Sequence, residues 1–166
     1  MTHMPTPQLR PPKHRVERRA IVWWTLQSAL FAGPILIGLI IAYALWEDAR
    51  PWLIILLIGA GVLAFIGIVV EPWWRFAVHR WEDTDQAVYA LTGWVVREWR
   101  VAPLSRIQTV DAVRGPLEQL LGLSTLRVTT ASSSGAINIG GLDKDVAEQA
   151  AERLTTIAQI TPGDAT

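Results

Sequence analysis

The chain has 166 residues, 51% of them hydrophobic, with 15 basic against 15 acidic side chains and no cysteine. That length holds one modest domain and something more, and the missing thiols exclude disulfides and thiolate chemistry. The hydrophobic excess is concentrated between Ile21 and Val70, as expected of a membrane segment fused to a soluble domain.

Residues 1–20 form a basic tail, with Arg10, Lys13, Arg15, Arg18 and Arg19 against the single Glu17. Lys13, Arg15, Arg18 and Arg19 are candidate contacts for anionic lipid, each worth roughly 1 kcal/mol near a charged surface. Two uncharged runs follow, 21–45 and 52–70. Each reaches the ~20 residues that a helix needs to cross a bilayer core. Only Trp46 to Pro51 separates them, so residues 21–72 are predicted to form an antiparallel transmembrane hairpin. The first run is too long for a cleaved signal peptide, and a second span follows it directly.

Trp23 and Trp24 open the first run and Trp46 closes it; Trp52 opens the second, and Trp73 and Trp74 follow it. Indole rings favour the headgroup level, so this placement supports the same boundaries. Five cations precede the first span, Arg75 and Arg80 follow the second, and the link carries Arg50 beside Glu47 and Asp48. The positive-inside rule therefore predicts a multi-pass protein of the inner (plasma) membrane with both termini cytoplasmic. Gly33-Pro34 predicts a kink in the first helix. Ala29 with Gly33, and Ala60 with Ala64, offer small residues for close helix packing. Glu71 is placed to pair with Arg75 one turn later. No ionisable residue lies in mid-membrane, which disfavours a transporter or channel.

Residues 73–160 read as a cytoplasmic domain, slightly acidic with nine Lys/Arg and eleven Asp/Glu from Arg75 to the C-terminus. The hydrophobic period shortens to two over Trp94–Val101, Ile107–Val113 and Leu126–Thr130, the pattern of half-buried antiparallel strands. Ala136–Ile139 continues the series, and earlier strands are expected over Arg75–Trp81 and Gln86–Leu91. Thr92-Gly93 and Ser132–Gly135 supply turns. Gly115-Pro116 through Leu121-Gly122 predicts a short helix with Pro at its start and Gly at its end. Asp143 is set as the N-cap of a last helix that buries Val146, Ala150, Leu154 and Ile157 and ends at Thr161-Pro162-Gly163. Residues 161–166 form a tail. The fold class is a membrane α-hairpin plus an α+β domain, a small sheet or barrel capped by a C-terminal helix.

The segments Pro103–Val110, Arg114–Leu117 and Leu121–Val128, with Tyr89–Thr92 before them and Gly140-Gly141-Leu142 after, resemble the bacterial pleckstrin-homology-like (PH-like) domain. The resemblance covers about residues 73–160, and the paired upstream spans match the membrane-flanked form of that family. It implies a PH-like barrel capped by a helix. It implies no activity, since members are mostly uncharacterised.

His3, His14 and His79 are scattered, with no carboxylate or second histidine at metal-ligand spacing. Ser132–Ser134 reads as a loop rather than a nucleophile. Gly140-Gly141 reads as a turn before the last helix rather than a phosphate loop. Paired carboxylates such as Glu82 and Asp83, or Asp143 and Asp145, fall at turns and helix starts. No catalytic, metal or cofactor residue is assigned, and no nucleic-acid partner is expected. Arg106, Arg114 and Arg127 are candidates for lipid or partner contact. The leading expectation is a non-enzymatic, membrane-anchored interaction or scaffold module with membrane lipids and unidentified proteins as partners. The rival is a lipid-headgroup-sensing regulator of the cell envelope.

Overall fold

A computed structural model describes residues 12–131 and 135–160, with side chains to 157. The expectations at His3, Arg10, Ser132–Ser134 and 161–166 lie outside the described residues.

Helix α1 spans Arg19–Leu45 and runs unbroken through Gly33-Pro34. Helix α2 (Arg50–Phe65) passes through a π-helical turn at Ile66–Val70 into α3 (Glu71–Val78), giving a second continuous helix of 29 residues. At 1.5 Å per residue these helices are about 40 Å long, more than the roughly 30 Å of a bilayer core. Among the described residues nothing covers their apolar flanks, and side chains such as Phe31, Ile55 and Leu63 are exposed. The expected pairing of Glu71 with Arg75 is present at 3.2 Å.

The small-residue packing differs from expectation. A Cβ on Gly33 would meet nothing within 4 Å, whereas one on Gly67 would touch Ser28 at 3.8 Å. Ala64 is buried in the same contact region. The Thr25 hydroxyl donates to the Ile68 carbonyl at 3.2 Å, and the residue four positions on, Pro72, has no N–H to offer that carbonyl. Between the helices a cleft of about 450 Å³ remains, apolar along Phe31, Ala32, Leu36 and Leu63, with Gln27 and Glu71 at its polar mouth.

Two antiparallel sheets follow. The first has the order β1 (His14–Arg15), β2 (Arg80–Asp83), β3 (Ala87–Thr92), β4 (Glu98–Pro103). The second is β5 (Ile107–Val113), β6 (Leu123–Thr130), β7 (Ile137–Asp143). A 3₁₀ turn at Leu104–Arg106 joins the sheets, α4 (Pro116–Leu121) links β5 to β6, and α5 (Lys144–Ile160) closes the core. Three strand expectations are corrected. Arg75–Val78 is helical, because the second helix runs on unbroken to Val78, and β2 starts only at Arg80. Residues 94–97 form a loop, because Gly93 reverses the chain at φ +108° and β4 begins at Glu98. Gly140 and Gly141 lie inside β7 rather than in a turn before the helix.

The core joins Trp81, Val88, Leu104, Leu123, Leu126, Val128, Ile139, Leu142 and Leu154. On α5, Ala147, Ala150 and Leu154 face it, while Val146 stays exposed. The N-terminal segment is part of this core rather than a free tail. His14 and Arg15 pair with Trp81 and Arg80, and Val16, Ala20 and Trp24 are buried. Trp24, 3% exposed, packs inside the domain instead of at the headgroups. The glycines of β7 allow this docking. Gly141, at φ +77°, would place a Cβ 2.6 Å from that of Ala20, and its carbonyl accepts the Glu17 N–H at 2.8 Å. The Trp23 ring lies as close to Gly140 as a missing side chain permits.

Candidate functional site

Among the described residues β1 and β4 bound the first sheet and β5 and β7 the second. The site lies at the β4 and β7 edges. The two edges face each other across a seam. A groove of about 620 Å³ lies there, lined by Glu98 through Pro103 of β4, by Arg106, Thr130 and Gly135, and by Ile137 of β7. Arg100 bridges the seam, donating from Nη1 to the Ala136 carbonyl at 2.9 Å and from Nη2 to Glu98 at 2.8 Å. Side chains alternate along a strand, so Ala102 points into the core while Trp99 and Val101 stand exposed on the other face. The backbone edge and this apolar pair together form a surface for an extended partner.

The seam continues toward the helices. Glu98, Arg100 and Ile137 also line a second cavity of about 370 Å³, which reaches Trp23, Trp24, Arg75, His79 and Asn138. Its cations are neutralised locally. Arg75 pairs with Glu71 and stacks over the Trp24 ring at 4.7 Å, and Arg100 is held by Glu98. His79 is buried against Trp24, with its Nδ1 2.9 Å from the Arg75 carbonyl. A carbonyl only accepts, so Nδ1 carries the proton that it donates. Burial, reinforced by the Arg75 charge, lowers the His79 pKa to about 4.

The three predicted arginines are not brought together. Arg106 and Arg114 flank the two ends of β5, separated by a seven-residue strand of roughly 23 Å. Arg114 pairs with Glu148 of α5, and Arg127, opposite Asp111 in the register, donates to Asn138 at 3.2 Å. Only Arg106 lines the groove.

Among the tail cations, Lys13 approaches Glu82 at 3.8 Å. Arg19 donates to Asp143 and to the Leu121 carbonyl, which ties the start of α1 to the N-cap of α5. Arg15 and Arg18 are exposed. Asp143 also accepts the Asp145 N–H at 3.0 Å, and that bond, followed by the Arg19 guanidinium, holds its carboxyl below the usual range. Sequence reasoning missed the seam and the place of Trp99 and Arg100 in it, because the alternation over Trp94–Val101 reports a strand without saying on which side it pairs.

No solved structure matches the chain. The UPF0699 transmembrane protein YdbS of Bacillus subtilis (strain 168) is 24% identical over 163 residues, which is 92% of this chain and 97% of that protein. The family model described as Bacterial PH domain matches residues 25–156, from the first turns of α1 to the last turns of α5. Helices and sheets are therefore matched as one unit, and the chain belongs to the bacterial PH domain family.

Proposed function

We propose that the protein is a membrane-anchored, non-enzymatic interaction module that holds an extended segment of a partner protein in the seam between its two sheets. It is a multi-pass protein of a bacterial plasma membrane, with both termini in the cytoplasm. The observation that carries this reading is the uncovered β4 edge, with Trp99 and Val101 exposed above a groove of about 620 Å³. Strand addition at such an edge draws affinity from backbone hydrogen bonds and selectivity from the alternate side chains. The transmembrane relative and the cations flanking the outer ends of the helix pair support the location.

The test is a photo-crosslinking residue at Val101 in native membranes, compared with one at Glu152 on the exposed face of α5. A discrete protein adduct from position 101, absent from 152 and lost when Trp99→Glu is added, supports the module. No adduct, or an adduct with lipid alone, overturns it.

The rival reading, a lipid-headgroup-sensing regulator of the cell envelope, draws on Arg75 and Arg100, which line the helix-proximal cavity beside two tryptophans. Pairing of both cations with glutamates weakens it, because an anionic headgroup would have to displace a carboxylate from each. Saturable, headgroup-selective binding of the full-length protein in phosphatidylglycerol nanodiscs, abolished by Arg100→Ala, would favour the rival.

A further inference from the structure

The loop between β3 and β4 carries Trp94, Val95 and Val96, all exposed, and Val95 and Val96 are 73% and 77% accessible. Apolar side chains so open, on a two-strand tip, need a covering that the described residues of the domain do not supply. Their position identifies one. Counting about 20 residues inward from the outer helix ends, Leu45 and Arg50, places the inner limit of the hydrocarbon near Leu26 and Val70. The Thr25–Ile68 hydrogen bond joins the two helices at this same level. Trp23 and Arg75, both partly exposed, then lie at the level of the headgroup layer.

The β-register brings the tip back to that layer. Strand β2 leaves the second helix at Arg80, and β3 returns antiparallel, with Leu91 opposite Arg80. Thr92 and Gly93 line the same cavity as Trp23 and Arg75. The next three residues are the exposed turn that returns the chain to β4 at Glu98. The reversal is tight, because a Cβ on Gly93 would lie 1.8 Å from the Val96 carbonyl oxygen. The tip is therefore a short, constrained hairpin end.

We infer that Trp94, Val95 and Val96 insert into the cytoplasmic leaflet beside the two helices as a third point of membrane contact, which fixes the tilt of the domain over the bilayer. This rests on the reading that both helices cross the membrane. A tryptophan, two β-branched aliphatics and the exposed Arg97 match the composition of the interface, where an indole and a cation sit at the headgroups and aliphatic side chains lie below them. The contact is to lipid rather than to a protein, because the tip lies at the level that lipid already surrounds.

The chain has no cysteine, so single replacements label cleanly. Full-length Val95→Cys, Val96→Cys, Leu56→Cys and Glu152→Cys are each labelled with an environment-sensitive fluorophore and reconstituted in phosphatidylglycerol–phosphatidylcholine vesicles carrying nitroxide lipids at graded depth. The label at 56 reports the hydrocarbon of the spans and the label at 152 reports water. Shallow nitroxides should quench positions 95 and 96 more than deep ones do, with blue-shifted emission, while 152 is unaffected. If 56 is quenched at depth but 95 and 96 match 152, the insertion is refuted and the spans stand. If 56 also reports water, the spanning reading fails and the inference falls with it.

Discussion

Single side chains show how closely the helix pair and the domain are joined. Gly122 sits at φ +64°, where the left-handed backbone strains any residue with a Cβ, and a Cβ there would lie 2.9 Å from Arg19 Nη1. Gly122→Val is expected to destabilise the folded protein by roughly 2 kcal/mol, and Gly38→Ala, with nothing within 4 Å, far less. Thermal unfolding of the detergent-solubilised proteins measures both.

His79 gives a pH dependence. Its folded-state pKa, about 4, lies below the ordinary 6.5, so between those values the unfolded chain takes up a proton that the folded chain refuses. Stability should fall as the pH drops through that window, by about 3 kcal/mol in full. His79→Asn keeps a donor near the Arg75 carbonyl but cannot titrate, so its stability should be flatter between pH 4 and 6.5. An unchanged slope would assign the dependence to carboxylates instead. The αL cap at Gly122 was legible in the sequence, because a glycine closing a short apolar helix has few other roles. The His79 environment was not, since burial depends on Trp24, 55 positions earlier in the chain.

At the scale of elements, the docking of α1 on β7 depends on a strand without side chains at Gly140 and Gly141. Gly141→Ala brings both an unfavourable backbone and a collision with Ala20, expected to cost roughly 2–5 kcal/mol. The specific readout is proteolysis at Arg18 and Arg19 in intact vesicles, which should quicken as the first turn of α1 lifts away. Cleavage no faster than in the wild type would mean that β7 yields without releasing the helix. Strand β6 was readable because Leu126 and Val128 face the core with Arg127 turned out between them, whereas β5 sends only Ile107 and Val110 to the core, on either side of a register shift. The two-residue β1 was not, because His14 and Arg15 carry no apolar pattern and form a strand only where β2 offers an edge. Trp24 was misread for a related reason. A tryptophan at the end of an apolar run suits a headgroup layer and a protein core equally, and only the fold selects.

Over the whole molecule, the hairpin and the domain form one structure rather than an anchor and its cargo. Cutting at residue 73 would remove β1, Val16, Ala20 and Trp24 from the core. The fragment 73–166 is expected to bind hydrophobic dyes and to unfold without a cooperative transition, whereas a chain that keeps residues 12–166 unfolds in one step. A stable, dye-silent fragment would show that the N-terminal segment is dispensable. The proposed orientation has its own check, since a reporter fused after Thr166 that is active only outside the cytoplasm should stay silent. The two-part division of the chain was visible in its composition, because uncharged apolar runs of roughly 20 residues suit a bilayer far better than the core of a small domain. The interlock was hidden, since it depends on contacts between residues more than 100 positions apart, such as Arg19 with Asp143.

That same Arg19–Asp143 contact governs the order of events during synthesis. The domain cannot close until the last helix has been made, and by then the strand and helix start that complete its core have long since left the ribosome. Folding is slow where contacts are distant in sequence, and exposed apolar surface invites association in the meantime. On the proposed reading that both helices cross the bilayer, a chain translated to about residue 130 has Trp24 and Val16 exposed beside the helices, waiting for partners not yet synthesised. On that reading insertion of the helices precedes closure of the domain, and the half-built state exposes apolar surface to chaperones and proteases.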